Sequence, residues 1–329
     1  MAAITSPAPA PSARRTGRPL NLRRILGFVG VGVLILFAFI QLMPFVLTVA
    51  NSFKCDPAIT SRPGSFVPIP PFGVNCVTTD DSGAISGRLS ADNQTEGAFF
   101  NPSFNGYQDI LQGGEQRDLP RWGFNTVIYA ISVTLGRLLF DSLAGYALAR
   151  LKFPGNRLVF FFILGTLMIP GVVLLIPRFL MLRQLDLLNT YHGYFLVLAA
   201  DAFGILLMKQ FFESIPKEIE EAAQVDGASR ITTFFRIVLP MATPALTALT
   251  IFSFQGQWNN FMDALIIVGT DTRMFNLPMG LTQIIGSGQD IQYDLVLAGS
   301  VLTTLPMAVV FFIFQRYFVE GVSYSGIKG

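Results

Sequence analysis

The sequence predicts an all-α membrane protein with six transmembrane helices. Three observations carry that prediction: 51% of the 329 residues are apolar, 13% are charged, and Phe occurs 31 times. A soluble domain carries about 25% charged residues, so a chain this poor in charge is not built to meet water on every side. Its apolar residues gather in runs long enough to cross a hydrocarbon layer of ~30 Å. With 23 basic and 21 acidic residues, the net charge of +2 is too small for a nucleic-acid surface. One His and two Cys leave almost no material for a His/Cys metal site or a His-based catalytic triad.

Residues 1–24 are rich in Pro, Ala, Ser and Arg without an apolar run, and read as a disordered basic leader. The stretch 25–50, Ile25 to Ala50, is the first span, interrupted only by Gln41 and Pro44. It outruns the ~7–15 residues of a signal-peptide core, so it is predicted to remain as an anchor although Thr48-Val49-Ala50 resembles a cleavage site. The other predicted spans are Phe124–Leu148, Leu158–Leu180, Gly193–Phe212, Ile237–Val268 and Leu295–Phe318.

Basic residues then orient the chain. With the N-terminus inside, Arg14, Arg15, Arg18, Arg23 and Arg24 are cytoplasmic, as are Arg150, Lys152 and Arg157. Lys209, Lys217, Arg230 and Arg236 follow on the same side, with Arg316 and Lys328 at the tail, 319–329. Outside loops hold only Arg183 and Arg273, with Arg178 at a boundary. Both termini are expected in the cytoplasm.

Segment 51–121 is then an extracytoplasmic insertion, dense in Pro, Gly, Asn, Asp and Ser and expected to be mostly loop. It contains both cysteines. An oxidising compartment favours a Cys55–Cys76 disulfide over two free thiols, as a loop constraint rather than chemistry. The insertion itself could cap an entrance, contact a partner or only decorate the surface.

The most informative stretch is 214–240, between the fourth and fifth spans. Pro216 suits a helix start, where its missing N–H costs nothing. Glu218, Glu220 and Glu221 follow in the first turns, where the dipole favours negative charge. Gly227 is the expected stop and Ser229 the next start, with Ile231, Phe234 and Phe235 as an apolar stripe. Physical reasoning alone leaves two readings: a hairpin lying on the membrane, or a docking element for another protein.

Here the sequence resembles a known family. Glu221-Ala222-Ala223, three residues, Gly227, nine residues, then Ile237-Val-Leu239-Pro240 resembles the EAA signature of ABC importer permeases. Asp226-Gly227-Ala228 is similar to the carbohydrate-uptake branch with its MalG-like subunits. The likeness runs through Asn125-Thr126, Tyr146-Ala-Leu-Ala-Arg150, Phe153-Pro-Gly155, Pro170 and Trp258-Asn-Asn-Phe261. It ends on Gln315-Arg-Tyr-Phe-Val-Glu-Gly321 and Ile327-Lys-Gly329, and so covers the core, 122–318, and the tail.

The resemblance implies a type I ABC importer transmembrane fold and a transport subunit rather than an enzyme. It also implies a homologous second permease subunit, two copies of an ABC ATPase subunit, an external solute-binding protein, and a multi-pass location in a prokaryotic plasma membrane. No Gly-x-x-x-x-Gly-Lys-Ser/Thr occurs in the chain, so ATP and Mg belong to the partner and this chain is expected to bind no cofactor or metal. Glu221, Ala222, Ala223, Asp226, Gly227 and Pro240 are the implied coupling residues, with Glu221 as the charged contact and Gly227 as the bend.

Polar residues inside the spans are candidates for a solute path, since polar groups in a membrane need partners. Gln255, Gln257, Trp258, Asn259, Asn260 and Asp263 interrupt the long fifth segment, as a broken or tilted helix presenting amides and an indole to a sugar would. The alternative is that they tie the bundle together. Asp201 is a further candidate, to line a cavity or to bond a neighbour. Arg137 and Asp141, four apart in one helix, are expected to neutralise each other. His192 belongs at a membrane boundary. Among other classes, an ion-coupled secondary transporter would not need the EAA loop, and a membrane enzyme lacks a grouped set of titratable residues. Within the importer class, the absence of Lys or Arg from 255–263 favours a neutral sugar over a polyol or glycerol-phosphate-type solute.

Overall fold

A computed structural model describes residues 22–54, 77–79, 85–88, 104–113, 118–286 and 291–326. The chain divides into two units, 1–47 and 48–329. Helix α1, Leu22–Asn51, supplies the described part of the first and crosses their boundary. It is apolar on every face, with Phe28, Leu34 and Phe37 among its exposed side chains. A helix of that kind is satisfied by lipid, not by water.

Segment 51–121 is less irregular than its composition suggests. It contains strands β1, Val77–Thr79, and β2, Ile85–Arg88, paired antiparallel, and helix α2, Asn105–Gln112. Ile110 is fully buried, and one apolar anchor with a close backbone approach is enough to dock a short polar helix. Cys55 and Cys76 lie outside the described residues.

The second unit is organised by α3, Leu119–Arg150, whose 32 residues correspond to about 48 Å of helix. Three bent helix pairs follow. The predicted span Leu158–Leu180 comprises α4, Asn156–Leu167, and α5, Leu175–Gln184, joined through a 3₁₀ turn and bent by 101°. Pro170 has no N–H to continue the ladder, and its carbonyl starts the turn by accepting from Val173 N at 2.9 Å. The fourth span comprises α6, Tyr191–Leu198, and α7, Ala202–Ser214, bent by 47°.

The hairpin between the fourth and fifth spans is α8, Lys217–Val225, and α9, Arg230–Thr233, which runs through a π-helical turn, Phe234–Val238, into α10, Leu239–Met241. Helix α11, Thr243–Trp258, leaves at 78° to it, so Ile237 and Val238 lie in the π-helical turn before a bend. Helix α12, Met262–Val268, resumes after Asn259–Phe261, and α13, Leu277–Gly286, precedes α14, Tyr293–Gly326. Residues 319–326 continue helix α14. Among the described residues three helices are long and apolar enough to span a membrane, or up to six if each bent pair counts as one.

α3 packs along α7 and α11, and α14 along α2 and α11. Gly145 makes the first contact possible: a Cβ there would stand 2.8 Å from Met208 Cβ and 2.9 Å from the Lys209 nitrogen. Two apolar clusters result. One holds Trp122, Tyr129, Tyr194, Trp258 and Phe275; the other holds Tyr146, Met208, Phe212, Phe234 and Val238, beneath the hairpin.

Between them, Arg137 and Asp141 do not pair along their helix as expected. Arg137 Nε donates to the Leu198 carbonyl at 3.0 Å and its guanidinium lies 3.9 Å from Asp201 Oδ2. Asp141 Oδ1 accepts from the Asp201 backbone N–H at 2.9 Å. The cation thus meets the carbonyl end of α6 and the anion the amide end of α7, as the helix dipoles favour. Breaking the fourth span frees backbone groups, and these two side chains satisfy them.

Candidate functional site

The hairpin forms as its residues dictate. Pro216 sits just before α8, one residue outside the expected start, with Glu218 and Glu220 in the first turn. Gly227 takes φ +84°, its N–H bonds the Gln224 carbonyl at 3.0 Å, and Ala228 N bonds Ala223 O at 2.9 Å. That pair of bonds closes a helix with a left-handed residue, which only Gly adopts without strain. Ser229 then accepts from Thr232 N at 3.2 Å and opens α9.

The two faces of α8 differ. Glu218, Glu221, Ala222 and Val225, at helical spacing, are exposed, whereas Glu220 and Ala223 are buried. Asp226 and Gly227 are exposed at its end, and Pro240, also exposed, lies in α10 just after the π-helical turn. The expected stripe of Ile231, Phe234 and Phe235 is not one face. Phe234 is buried against Tyr146, ring centroids 4.9 Å apart, while Ile231 and Phe235 are exposed. The hairpin therefore exposes the carboxylates of Glu218, Glu221 and Asp226 together with Ala222, Val225 (88% exposed) and Ile231 (72% exposed). Apolar side chains this open, beside charge, suit a protein partner.

Sequence reasoning singled out Glu221 and passed over Glu220. Glu220 lies 2.7 Å from Arg150 Nε and accepts from Tyr146 Oη at 2.9 Å. The periodicity of the buried pair Glu220 and Ala223 was the available signal, masked by three glutamates within four residues.

The interruption of the fifth segment is real, and it separates the candidates. Gln255 and Asn259 are exposed, while Gln257 and Trp258 are buried. Trp258 packs on Phe254 and donates Nε1–H to the Thr303 carbonyl at 3.2 Å, so its indole is buried in the core of this chain. Gln257 Oε1 accepts from Tyr194 Oη at 3.1 Å and Asn260 Nδ2 at 3.3 Å. Asn260 Oδ1 accepts the Asp263 N–H at 3.2 Å, and Asn276 Nδ2 bonds the Asn260 carbonyl. Asp263 is held by Arg178 at 2.5 Å. The break is thus braced by its own amides, and the nearest guanidinium is neutralised by a carboxylate. Asp201 is half-buried at the start of α7, bonded as described above. His192 is exposed.

The segment 271–277 was not singled out either. Asn125 Nδ2 donates to the Arg273 and Phe275 carbonyls, both at 2.8 Å, and Tyr129 Oη to Met274 O at 2.9 Å. Trp122 Nε1 reaches Thr272 O at 3.2 Å, and Thr126 Oγ1 accepts from Leu277 N at 2.9 Å. One face of α3 therefore holds the backbone of this segment at successive positions. Among the described residues no group of three His, Cys, Asp or Glu could hold a metal.

Comparison with known proteins agrees with this architecture. The chain is 37% identical over 208 residues to the arabinooligosaccharides transport system permease protein AraQ of Halalkalibacterium halodurans, covering 63% of this chain and 74% of that one. It is 30% identical over 310 residues to the trehalose/maltose transport system permease protein MalG of Thermococcus litoralis, covering 94% and 98%. A bacterial ABC transporter involved in the import of the acidic polysaccharide alginate has the same fold, with a TM-score of 0.71 at 24% identity over 92% of this chain and 100% of that one. Residues 141–324, from Asp141 through the hairpin into α14, match the binding-protein-dependent transport system inner membrane component family. The chain is a member of that family, a multi-pass permease subunit of an ABC importer.

Proposed function

We propose that this permease forms half of the translocation path for a neutral sugar or oligosaccharide, driven by an ATPase subunit that docks on the hairpin. The observation that carries the reading is the outer face of α8, where Glu221, Ala222 and Val225 stand exposed beside the left-handed turn at Gly227. Two ATPase copies would supply ATP and Mg, a homologous permease the other half of the path, and an external binding protein the solute. Six crossings put both termini in the cytoplasm of a prokaryotic plasma membrane, with 1–24 as leader, 51–121 outside and 214–240 inside. A Cys55–Cys76 disulfide then forms outside.

A neutral solute is supported by the relatives named for arabinooligosaccharides and trehalose/maltose, and by the Arg178–Asp263 pair, in which the cation beside the break is already neutralised. Gln255 and Asn259 are the residues proposed to face it, with Gln257, Asn260 and Asp263 setting the path wall and Trp258 supporting it from within. A glycerol-phosphate-type solute would need a basic group there.

The test uses full-length protein in its own membranes. A tagged chain should bring down an ATPase subunit; Glu221→Lys and Gly227→Val should weaken that recovery. The left-handed backbone costs a side chain ~1–2 kcal/mol, and removing one partner of a desolvated charge pair at an interface costs ~2–5 kcal/mol. Labelled maltose and arabinotriose should enter in preference to labelled glycerol 3-phosphate. Variants that assemble and transport like the parent would refute the docking role. Reporters fused after residues 90 and 227 should be active outside and inside, respectively.

A further inference from the structure

The helix that carries the docking face is not loosely tethered. A proline at 216 leaves no backbone hydrogen bond across the joint at that residue, so α8 could in principle swing about Ile215. The end of α3 prevents this from both sides. Arg150 donates to the Ile215 carbonyl, immediately before the joint. The same guanidinium lies 2.7 Å from Glu220, on the first turn after it, as a close charge contact rather than an aligned hydrogen bond. Tyr146, one turn earlier in α3, donates to the other Glu220 oxygen at 2.9 Å. The Arg150 and Glu220 side chains are only 4% and 9% exposed.

Glu220 points away from the docking face. Tyr146, which it bonds, belongs to an apolar cluster with Phe212, Ile215 and Phe234, against which Ile219 packs. A hydrophobic residue of similar size would fill that space without the desolvation cost of two ions. What the ion pair adds is directional connection between α8 and α3. Further along, α3 is joined to α7 by close packing at Gly145 and by the Asp141–Asp201 bond. At its far end it holds the backbone of 272–277. One continuous helix therefore connects the hairpin to the opposite end of the unit.

We propose that Glu220, Arg150 and Tyr146 form a transmission lock: positioning residues that make α8 and α3 a single lever, so that displacement of the docking face reaches the outer end of α3. The inference rests on the docking role proposed for the hairpin. It assigns the two adjacent glutamates opposite tasks, Glu221 toward the partner and Glu220 toward the membrane helices.

The experiment compares Glu220→Gln, Arg150→Met and the double variant with the parent, in the intact complex reconstituted from its own membranes. Three quantities are read together: ATPase subunit recovered, ATP hydrolysed, and labelled maltose or arabinotriose imported. Since none of these changes touches the docking face, ATPase recovery and hydrolysis should persist. Sugar imported per ATP should fall at least about fivefold, the lower end of typical coupling between linked sites. The double variant should be no worse than the poorer single one, because both remove the same connection. Tyr146→Phe, which deletes one hydrogen bond and no charge, should give a smaller loss of the same kind. Should any variant lower the yield, import per ATP is normalised to the complex recovered. Transport per ATP within twofold of the parent, or additive losses in the double variant, would overturn the lock. If the parent itself retains no ATPase subunit, the docking role fails instead.

Discussion

Asp141→Ala isolates the bend in the fourth span from everything around it. Asp141 is fully buried, and its Oδ1 takes the Asp201 N–H at 2.9 Å, where the break between α6 and α7 leaves that amide without a helical partner. Alanine removes the acceptor inside a packed bundle. An orphaned buried donor costs about 1–3 kcal/mol. Asn keeps an oxygen at the same place, so Asp141→Asn should cost less than half as much. The second oxygen faces Gly204, where an added Cβ would stand 2.1 Å away; the pocket therefore has no room for a larger acceptor to compensate. A loss of about 2 kcal/mol corresponds to roughly 4–8 °C of melting temperature, read by heating the detergent-solubilised protein and following the monodisperse fraction by size-exclusion chromatography. Equal melting of parent, Asn and Ala variants would refute the assignment of Asp141 as the cap of α7, as would an Asn variant less stable than Ala.

Other substitutions separate core from path. Trp258→Ala should cost about 3–5 kcal/mol as a large buried side chain and lower the yield of folded protein, whereas Asn259→Ala and Gln255→Ala should leave thermal stability within about 0.5 kcal/mol and reduce sugar uptake; the same thermal and uptake assays distinguish them. Asn125→Ala removes donors to two carbonyls and the acceptor of Tyr191 Oη, at 2.6 Å; a loss of about 2–4 kcal/mol is expected, with faster proteolysis at 271–277 as the local readout. Arg137→Met should destabilise less than Asp141→Ala, because the Leu198 carbonyl keeps a second lone pair for other donors, and melting of the two variants side by side checks the order.

Hydrophobic run length and punctuation by Pro and Gly made most of the helical architecture readable from the chain. The hairpin was readable too: Pro216, Gly227 and Ser229 act through local backbone chemistry, and the structure has a start, a stop and a start within a residue of each. The single spans at 158–180 and 193–212 were less well read. Apolar composition is blind to direction, and a bend of 101° at Pro170 contains the same residues as a straight crossing.

Side-chain partners were the part beyond reach of the sequence. Arg137 and Asp141 are spaced to bond each other along a helix, yet each satisfies a backbone group 60 or more residues away. Three glutamates within four residues look alike until α3 is packed beside them and buries Glu220 while leaving Glu221 open. The amides around the fifth-segment break divide in the same way, with Gln257 turned inward to Tyr194 and Asn259 outward. By itself the sequence determined which residues form helices, where the chain turns and which family signature it carries, because propensity, apolar run length and turn chemistry act over a few neighbouring residues. Only the tertiary structure decided which polar groups are spent holding the bundle and which remain free for a partner or solute, because that depends on what lies across from each side chain once distant segments meet.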